Sequence, residues 1–279
     1  MKQWNDEVLL QTVSRLTPVS LAERQAILAG PSAAEHHRGH FDRLKVSREI
    51  EVGGTPQSRH IEGPARIVFW NVERLRHVDA ITSTLRQLDA DVTLLCEVDR
   101  GMARTQNRDG IVELADSLGE GYLYAVEFVE LGLGDRNEQV VHAGEVNADS
   151  FHGAALLSAA TMATPFLIRL DARGDWFDGA HGEGRVGGTI ALGAKIAISG
   201  QHVTMVSVHL ESHCDPDLRG QEMARMARGE REGRLNRPGR RSRWRAGRFR
   251  RLPKSWENAD GHSEAQAVRQ RGFSLDTRR

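Results

Sequence analysis

Two apolar segments that each end near a polar side chain constrain the fold of this chain more than any other feature of its sequence. Residues 67 to 71 (IVFWN) and 94 to 98 (LLCEV) are rich in large and β-branched residues, as buried strands are. Between them, residues 75 to 88 carry apolar side chains at helical spacing and one polar face. We therefore predict a strand, a helix and a second strand, with Asn71 and Glu97 as neighbours at one edge of a sheet.

The chain after residue 98 predicts a helix over 111 to 118 and a long loop over 132 to 150, where Gly, Asp, Asn and Glu predominate. Further strands are predicted over residues 122 to 129, 154 to 158, 187 to 199 and 203 to 209. Strands separated by turns, after a strand-helix-strand unit, favour a mixed sheet or two packed sheets over an all-parallel sheet.

The chain before residue 64 has a weaker pattern. Residues 4 to 28 have a mixed helical periodicity, which predicts a short helical appendage, and residues 32 to 63 are polar. His36, His37 and His40 could bind a metal, but they lack a paired carboxylate or a cysteine nearby. This favours a solvated, partly mobile linker for residues 32 to 63.

The formal net charge of zero conceals an uneven distribution. Residues 225 to 279 hold 17 Lys or Arg against 6 Asp or Glu, whereas the remainder holds 21 against 32. No run approaches the roughly 18 apolar residues that a membrane span needs, and the N-terminus lacks the features of a signal peptide. Cys96 and Cys214 fit no disulfide or zinc spacing. We therefore expect a cytoplasmic protein, and the 39% hydrophobic content is sufficient for a packed core.

Three predicted strands deliver Asn71, Glu97 and His209 to their ends. A carboxylate, an amide and an imidazole gathered at one end of a sheet could hold a divalent cation and a phosphate. Taken singly, Glu97 is better explained as a solvated strand end, and His209 as a hydrogen-bonded core histidine.

Four motifs strengthen the first interpretation. They are FWNV (69 to 72), LLCEV (94 to 98), HGAALLS (152 to 158) and VSVHLES (206 to 212). In this order and spacing, over about residues 66 to 224, the chain resembles the endonuclease/exonuclease/phosphatase superfamily. The resemblance implies an α/β fold, a four-layer α-β-β-α sandwich with two packed mixed sheets. It also implies hydrolysis of phosphate esters with Mg²⁺ or Mn²⁺, as a phosphodiesterase, nuclease or phosphatase.

The resemblance also implies roles for individual residues. Glu97 matches the principal metal ligand, Asn71 matches a residue that positions metal or phosphate, and His209 matches a histidine that hydrogen-bonds the scissile phosphate. Tyr124 and Glu127 lie where relatives place a tyrosine and an acid near that histidine. A carboxylate beside His209 is expected to hold the imidazole protonated and oriented.

The last motifs of the superfamily, an Asp-x-Asn strand end and an Asp-His pair, are missing, since no aspartate occurs between Asp217 and Asp260. In the family these groups orient the attacking water, serve as general base and complete the metal site. Residues 225 to 251 instead hold twelve arginines and two acidic residues, a composition that predicts no buried strand. We predict a helical and polar extension (1 to 63), a domain of this family (64 to 224) and a basic tail (225 to 279). The tail is expected to be disordered or to leave the fold incomplete.

Three explanations of the tail stay open. It is a nucleic-acid-binding arm in which arginines pair with phosphates and Trp244 and Phe249 stack on bases, a disordered appendage, or the product of a shifted reading frame near residue 226. Two functions follow. One is metal-dependent hydrolysis of phosphate esters, with a rate that is reduced if the missing motifs are needed for catalysis. The other is non-catalytic binding of nucleic acid or an acidic partner through the tail.

Overall fold

The computed structural model describes residues 7–55, 58–171, 173–179, 182–232, 248–250 and 272–274. The strands are β1 Val8–Leu9, β2 Thr12–Val13, β3 Ile50–Gly54, β4 Ile67–Arg74, β5 Val92–Arg100, β6 Gly121–Glu130, β7 Phe151–Ser158, β8 Ala163–Arg169, β9 Arg185–Gly187, β10 Ile190–Ile198, β11 Gln201–Val208, β12 Arg248–Arg250 and β13 Gly272–Ser274. The helices are α1 Leu21–Leu28, α2 Ala34–Phe41, α3 Val78–Leu88, α4 Gly110–Leu118, α5 Arg136–Val141 and α6 Pro216–Glu232. Short 3₁₀ turns cover Lys45–Arg48 and Ala103–Thr105.

Two sheets organise these strands. The larger sheet has the order β2-β3-β6-β7-β5-β4, with β9 paired to β6, and the smaller has the order β1-β8-β10-β11. β4 and β5 pair in parallel through the connecting helix α3, while β7 runs antiparallel to both β5 and β6. The predicted strand-helix-strand unit and the mixed sheet are therefore confirmed.

The sheets face each other across a continuous apolar core. Leu94, Leu123 and Leu156 of the larger sheet belong to the same buried cluster as Leu167 and Leu192 of the smaller one. Alternating side chains of each strand supply this inner face, which is the arrangement of packed sheets. A hydrogen bond of 2.8 Å from Ser207 Oγ to the Leu95 carbonyl ties β11 directly to β5.

Helices cover the outer faces. Ile81 and Leu85 of α3 and Leu114 of α4 belong to the buried cluster on the outside of the larger sheet. On the smaller sheet, Met226 of α6 packs against a cluster that includes Ile168. The order of layers is helix, sheet, sheet, helix, so the predicted α/β fold with two packed sheets is confirmed. The larger sheet is mixed, whereas the described strands of the smaller sheet pair only in antiparallel fashion.

The N-terminal segment differs from its prediction. The helical interpretation is wrong over residues 8 to 13, where β1 joins the smaller sheet and β2 the larger, and only α1 is helical. The expectation of a solvated linker is wrong as well, because β3 pairs with β6 and His37 is buried, accepting a hydrogen bond from the Gly187 N–H at 3.0 Å. Burial of Leu9 and Ile50 in the core between the sheets stabilises these short strands. The domain boundary at residue 64 stays a prediction, although strands from both sides of it share a sheet.

The basic C-terminal segment is described only in part. α6 continues through Glu232, beyond the predicted domain end at residue 224, and β12 pairs with β13. The remainder, and with it the predictions about the tail, lies outside the described residues. Within the part of the chain that the structure describes, no helix has the length and apolar character needed to cross a bilayer.

Candidate active site

Three of the predicted site residues meet at one edge of the sheets. Asn71 Nδ2 donates a hydrogen bond of 2.6 Å to Glu97 Oε1, and His209 Nε2 lies 3.7 Å from the same oxygen. Asn71 and Glu97 come from the parallel pair β4 and β5, whose carboxyl ends share an edge. His209 follows β11 of the other sheet. The site therefore forms where both sheets end together.

Irregular strand pairing shapes this edge. In β4, β5 and β6 the register of pairing shifts beside Asn71, around Glu97 and at Glu127, respectively. Such bulges turn a side chain away from the regular alternation of a strand. Glu97 itself has a φ of 56°, a left-handed conformation that costs a non-glycine residue on the order of 1–2 kcal/mol. Backbone strain of this kind is typical of functional sites.

The edge opens into a cavity of about 330 Å³. It is lined by Arg74, Glu97, Glu127, Phe128, Asp135, His152, Trp176, Glu183, Arg185, Thr189, His209, Leu210, Glu211, Ser212 and His213. Acidic, basic, imidazole and aromatic groups thus surround one concave space, as in many enzyme sites.

Glu127 presents a buried carboxyl group to this cavity. Its side chain is almost fully buried, and Oε2 has no hydrogen-bond partner among the described residues. Burial raises the pKa of Glu127 to about 8, with a further increase from nearby Glu97 and a partial decrease from Arg185. Gly187 stands against its backbone, because a Cβ there would lie 2.1 Å from the Glu127 carbonyl oxygen.

The electrostatics of His209 differ from the expectation that a carboxylate holds it protonated. Burial lowers the pKa of His209 below its usual value, and the attraction of Glu97 offsets this effect only in part. The imidazole is therefore neutral at pH 7 and offers one N–H donor. Desolvation is the dominant cause, which the sequence pattern did not reveal.

Tyr124 is not brought to the cavity. Its side chain is buried in the cluster beneath the outer helices, and its hydroxyl donates to the Val98 carbonyl at 3.1 Å. Burial raises the pKa of Tyr124 well above its usual value. Tyr124 thus supports β5 two residues before its end, whereas Glu127 reaches the cavity.

The cavity also holds residues that the sequence interpretation missed. His152 of the HGAALLS motif lines it, and its Nδ1 lies 2.7 Å from Asp99 Oδ1. Burial favours the neutral form of Asp99, but Arg104 and His152 outweigh it and lower the pKa of Asp99 to about 2. In the sequence, the signal that pointed to this pair was the position of Asp99, two residues after Glu97 on the same strand.

An aromatic wall comes from the segment before β9. Trp176 Nε1 donates to Glu211 Oε2 at 2.8 Å, and its ring meets that of His213 edge-on with centroids 5.1 Å apart. The Arg185 guanidinium lies 4.6 Å from the Trp176 ring centroid. This segment has no periodic pattern, so its position beside the site could not be predicted from the sequence.

A cluster of carboxylates at the rim of the cavity is one candidate for a metal site. One oxygen each of Asp135, Glu138 and Glu183 lies within 4.8 Å of the others. However, arginines already pair with these groups: Arg104 lies 3.2 Å from Glu138 and 3.5 Å from Glu183, and Arg74 contacts both. A cation there would have to displace buried guanidinium groups, so this cluster is an ion-pair network and does not fit a resident metal.

The oxygens near Glu97 fit a metal better. Glu127 Oε2 has no hydrogen-bond partner among the described residues, the Asn71 amide contacts Glu97 through Oε1, and both carboxyl groups line the cavity. Hard oxygen donors of this kind suit Mg²⁺ or Mn²⁺. Asp135 is the only aspartate among the described lining residues, and it accepts from the N–H groups of Asn137 and Glu138 as a helix cap.

No protein-family model matches the sequence, and no curated protein matches it. Among solved structures, the chain is similar to an endonuclease/exonuclease/phosphatase from Beutenbergia cavernae, with 18% identity, a TM-score of 0.41, and coverage of 60% of this chain and 43% of that one. It is also similar to an endonuclease/exonuclease/phosphatase family protein from Leptotrichia buccalis (12%, TM-score 0.35, coverage 57% and 62%) and to a humanized D. rerio TDP2 (16%, TM-score 0.35, coverage 60% and 55%).

The chain spans between 43% and 62% of the length of these three structures. Similarity of this extent leaves the chemistry of the site to be argued from its own side chains.

Proposed function

We propose that this chain is a hydrolase of phosphate esters that depends on Mg²⁺ or Mn²⁺, with the cavity beside Glu97 as its active site. The observation that carries the proposal is the convergence of Glu97 and His209 from two sheets onto one cavity, with the Asn71 amide hydrogen-bonded to Glu97. A carboxylate and a neutral imidazole at one cavity, with an amide holding the carboxylate, are suited to a cation and a phosphate.

Glu97 is proposed as the principal metal ligand, with Glu127 beside it. The Asn71 amide holds Glu97 Oε1 and leaves Oε2 available to a cation. Protonated Glu127 would give up its proton when a cation neutralises the nearby negative charge, because a pKa raised by burial and by Glu97 is sensitive to added positive charge. When bound, the metal would polarise the phosphate and offset its charge.

His209 is proposed to donate a hydrogen bond to the phosphate. Its ring is neutral at pH 7 and lies at the cavity wall beside Glu97. A donor aimed at the phosphate oxygens stabilises the charge that develops in the transition state, and loss of one such donor typically costs about 10²–10³ in kcat.

Glu97→Gln tests the proposal, with the exposed Glu35→Gln on α2 as its control. We expect Glu97→Gln to weaken Mn²⁺ binding, measured by calorimetry on the full chain, by at least about tenfold. Turnover of bis(p-nitrophenyl) phosphate should require Mg²⁺ or Mn²⁺, stop with chelator, and be lost in this variant. Unchanged Mn²⁺ affinity in folded Glu97→Gln would refute the metal site.

A further inference from the structure

A second pair of an acid and an imidazole lies at the wall of the same cavity. Asp99 and His152 are direct partners in the register of β5 and β7, and Asp99 Oδ1 lies 2.7 Å from His152 Nδ1. The Asp99 side chain is completely buried, while His152 is 5% exposed and lines the cavity together with Glu97 and His209. Only the imidazole of this pair therefore reaches the cavity.

Hydrogen bonding fixes which nitrogen of His152 carries the proton. Arg104 donates to both oxygens of Asp99, from Nε to Oδ2 at 2.7 Å and from Nη2 to Oδ1 at 3.0 Å. A carboxylate held in this way is an acceptor only, so His152 Nδ1 must be the donor. In the neutral ring Nε2 then carries the lone pair, and no other described residue hydrogen-bonds it.

The other histidines of the cavity are placed differently. His209 Nε2 lies near the proposed ligand Glu97, and His213 Nδ1 contacts the Ser212 hydroxyl at 3.1 Å while its ring packs against Trp176. Among the lining histidines, His152 is the one held by a wholly buried carboxylate. Its Nε2 is thus the best preorganised proton acceptor of the described cavity wall.

We infer that His152 accepts the proton of the attacking water and that Asp99 positions it for this role. The inference rests on the proposed function. As the water oxygen forms its bond to phosphorus, one water proton passes to His152 Nε2. The ester P–O bond breaks, its electron pair goes to the leaving oxygen, and that oxygen takes a proton from solvent. The remaining hydroxyl proton stays on the phosphate product or passes to solvent, and His152 returns its proton to solvent.

In this role His152 supplies the general base of hydrolysis. The Asp-x-Asn and Asp-His motifs, which would otherwise supply it, are missing from the sequence. General bases typically contribute about 10²–10⁴ in rate. The two residues of the pair lie on β5 and β7, which both precede the basic segment in the chain.

His152→Asn is the sharpest test, because an Asn amide can donate to Asp99 in place of Nδ1 but offers nothing at the position of Nε2. We expect kcat for bis(p-nitrophenyl) phosphate with Mn²⁺ to fall by about 10²–10³, while KM and Mn²⁺ affinity stay near those of the wild type. His202→Asn, at an exposed site on β11, is the matched control and should change neither.

A spectroscopic measurement tests the tautomer without turnover. The ¹⁵N NMR spectrum is recorded on the metal-free protein at a pH high enough for the His152 ring to be neutral, and the His152 signals are assigned by their absence in His152→Asn. The neutral ring should show a protonated Nδ1 and an unprotonated Nε2. Asp99→Asn should change this pattern, which a merely structural role for Asp99 does not predict. A protonated Nε2 in the wild type would overturn the inference.

The outcomes separate the two proposals. Metal-dependent turnover in the wild type with undiminished kcat in His152→Asn overturns the inference and leaves the proposed function standing. No metal-dependent turnover in the wild type overturns both. A loss of kcat in His152→Asn with retained Mn²⁺ affinity, together with the expected spectrum, supports both.

Discussion

Replacement of Glu120 by Gln is expected to remove a large part of the pH dependence of stability. Glu120 is 8% exposed, and its Oε2 has no hydrogen-bond partner within the described residues. Burial raises the pKa of Glu120 from 4.5 to about 7, with Arg59 lowering it and Asp91 raising it by smaller amounts. The folded state therefore binds this proton more tightly than the unfolded state does.

The linkage between proton binding and folding gives the direction in which stability changes with pH. The contribution of Glu120 to stability is fully present below pH 4.5 and is lost as pH rises through about 7, because folding then requires burial of a charged carboxylate. Between pH 5 and pH 8.5 this loss amounts to about 2–3 kcal/mol, since one pKa unit corresponds to about 1.4 kcal/mol. Glu120→Gln should escape this loss.

Urea unfolding followed by tryptophan fluorescence, with chelator present, measures the effect. We expect the difference in the free energy of unfolding, Glu120→Gln minus wild type, to be about 2–3 kcal/mol larger at pH 8.5 than at pH 5. The exposed Glu35→Gln should show the same relative stability at both values. A pH-independent difference for Glu120→Gln would refute the assignment of a raised pKa to this carboxyl group.

Two further predictions concern charge. Arg104→Met should lower the free energy of unfolding by about 3–5 kcal/mol, because it removes a buried guanidinium that pairs with the buried carboxylates of Asp99 and Glu130. Arg108→Met, which breaks a partly exposed pair, should cost less than about 1 kcal/mol in the same denaturant titration. If the basic segment binds nucleic acid, replacing four of its arginines, at positions 240, 241, 243 and 245, by Gln should weaken binding to an oligonucleotide and reduce the slope of log affinity against log salt. An unchanged slope would argue against this role.

The prediction for Tyr124 and Glu127 shows where sequence reasoning was incomplete. A regular strand directs residues three apart to opposite faces, so alternation does not bring both side chains to one cavity. The bulge at Glu127 and the core position of Tyr124 settle which of them reaches the site. The motif match had placed both there.

The missed pair of His152 and Asp99 has a different cause. These residues are 53 positions apart, and they meet because β7 inserts between β5 and β6 in the sheet. Sheet order depends on which strands pair over long distances, and no local pattern reports it. The same reason accounts for β1 and β3, short strands whose pairing with β8 and β6 was not predicted.

The sequence by itself determined the parts of this protein that are encoded locally. Apolar runs with polar ends identified β4, β5 and β11, helical spacing identified α3, and the strand ends identified Asn71, Glu97 and His209 as residues that the structure brings together. Tertiary structure alone decided the left-handed backbone at Glu97, the burial that keeps His209 neutral and Glu127 protonated, and the carboxylate behind His152. Periodicity is a property of neighbouring residues, whereas desolvation and proton placement depend on what the whole fold packs around a side chain.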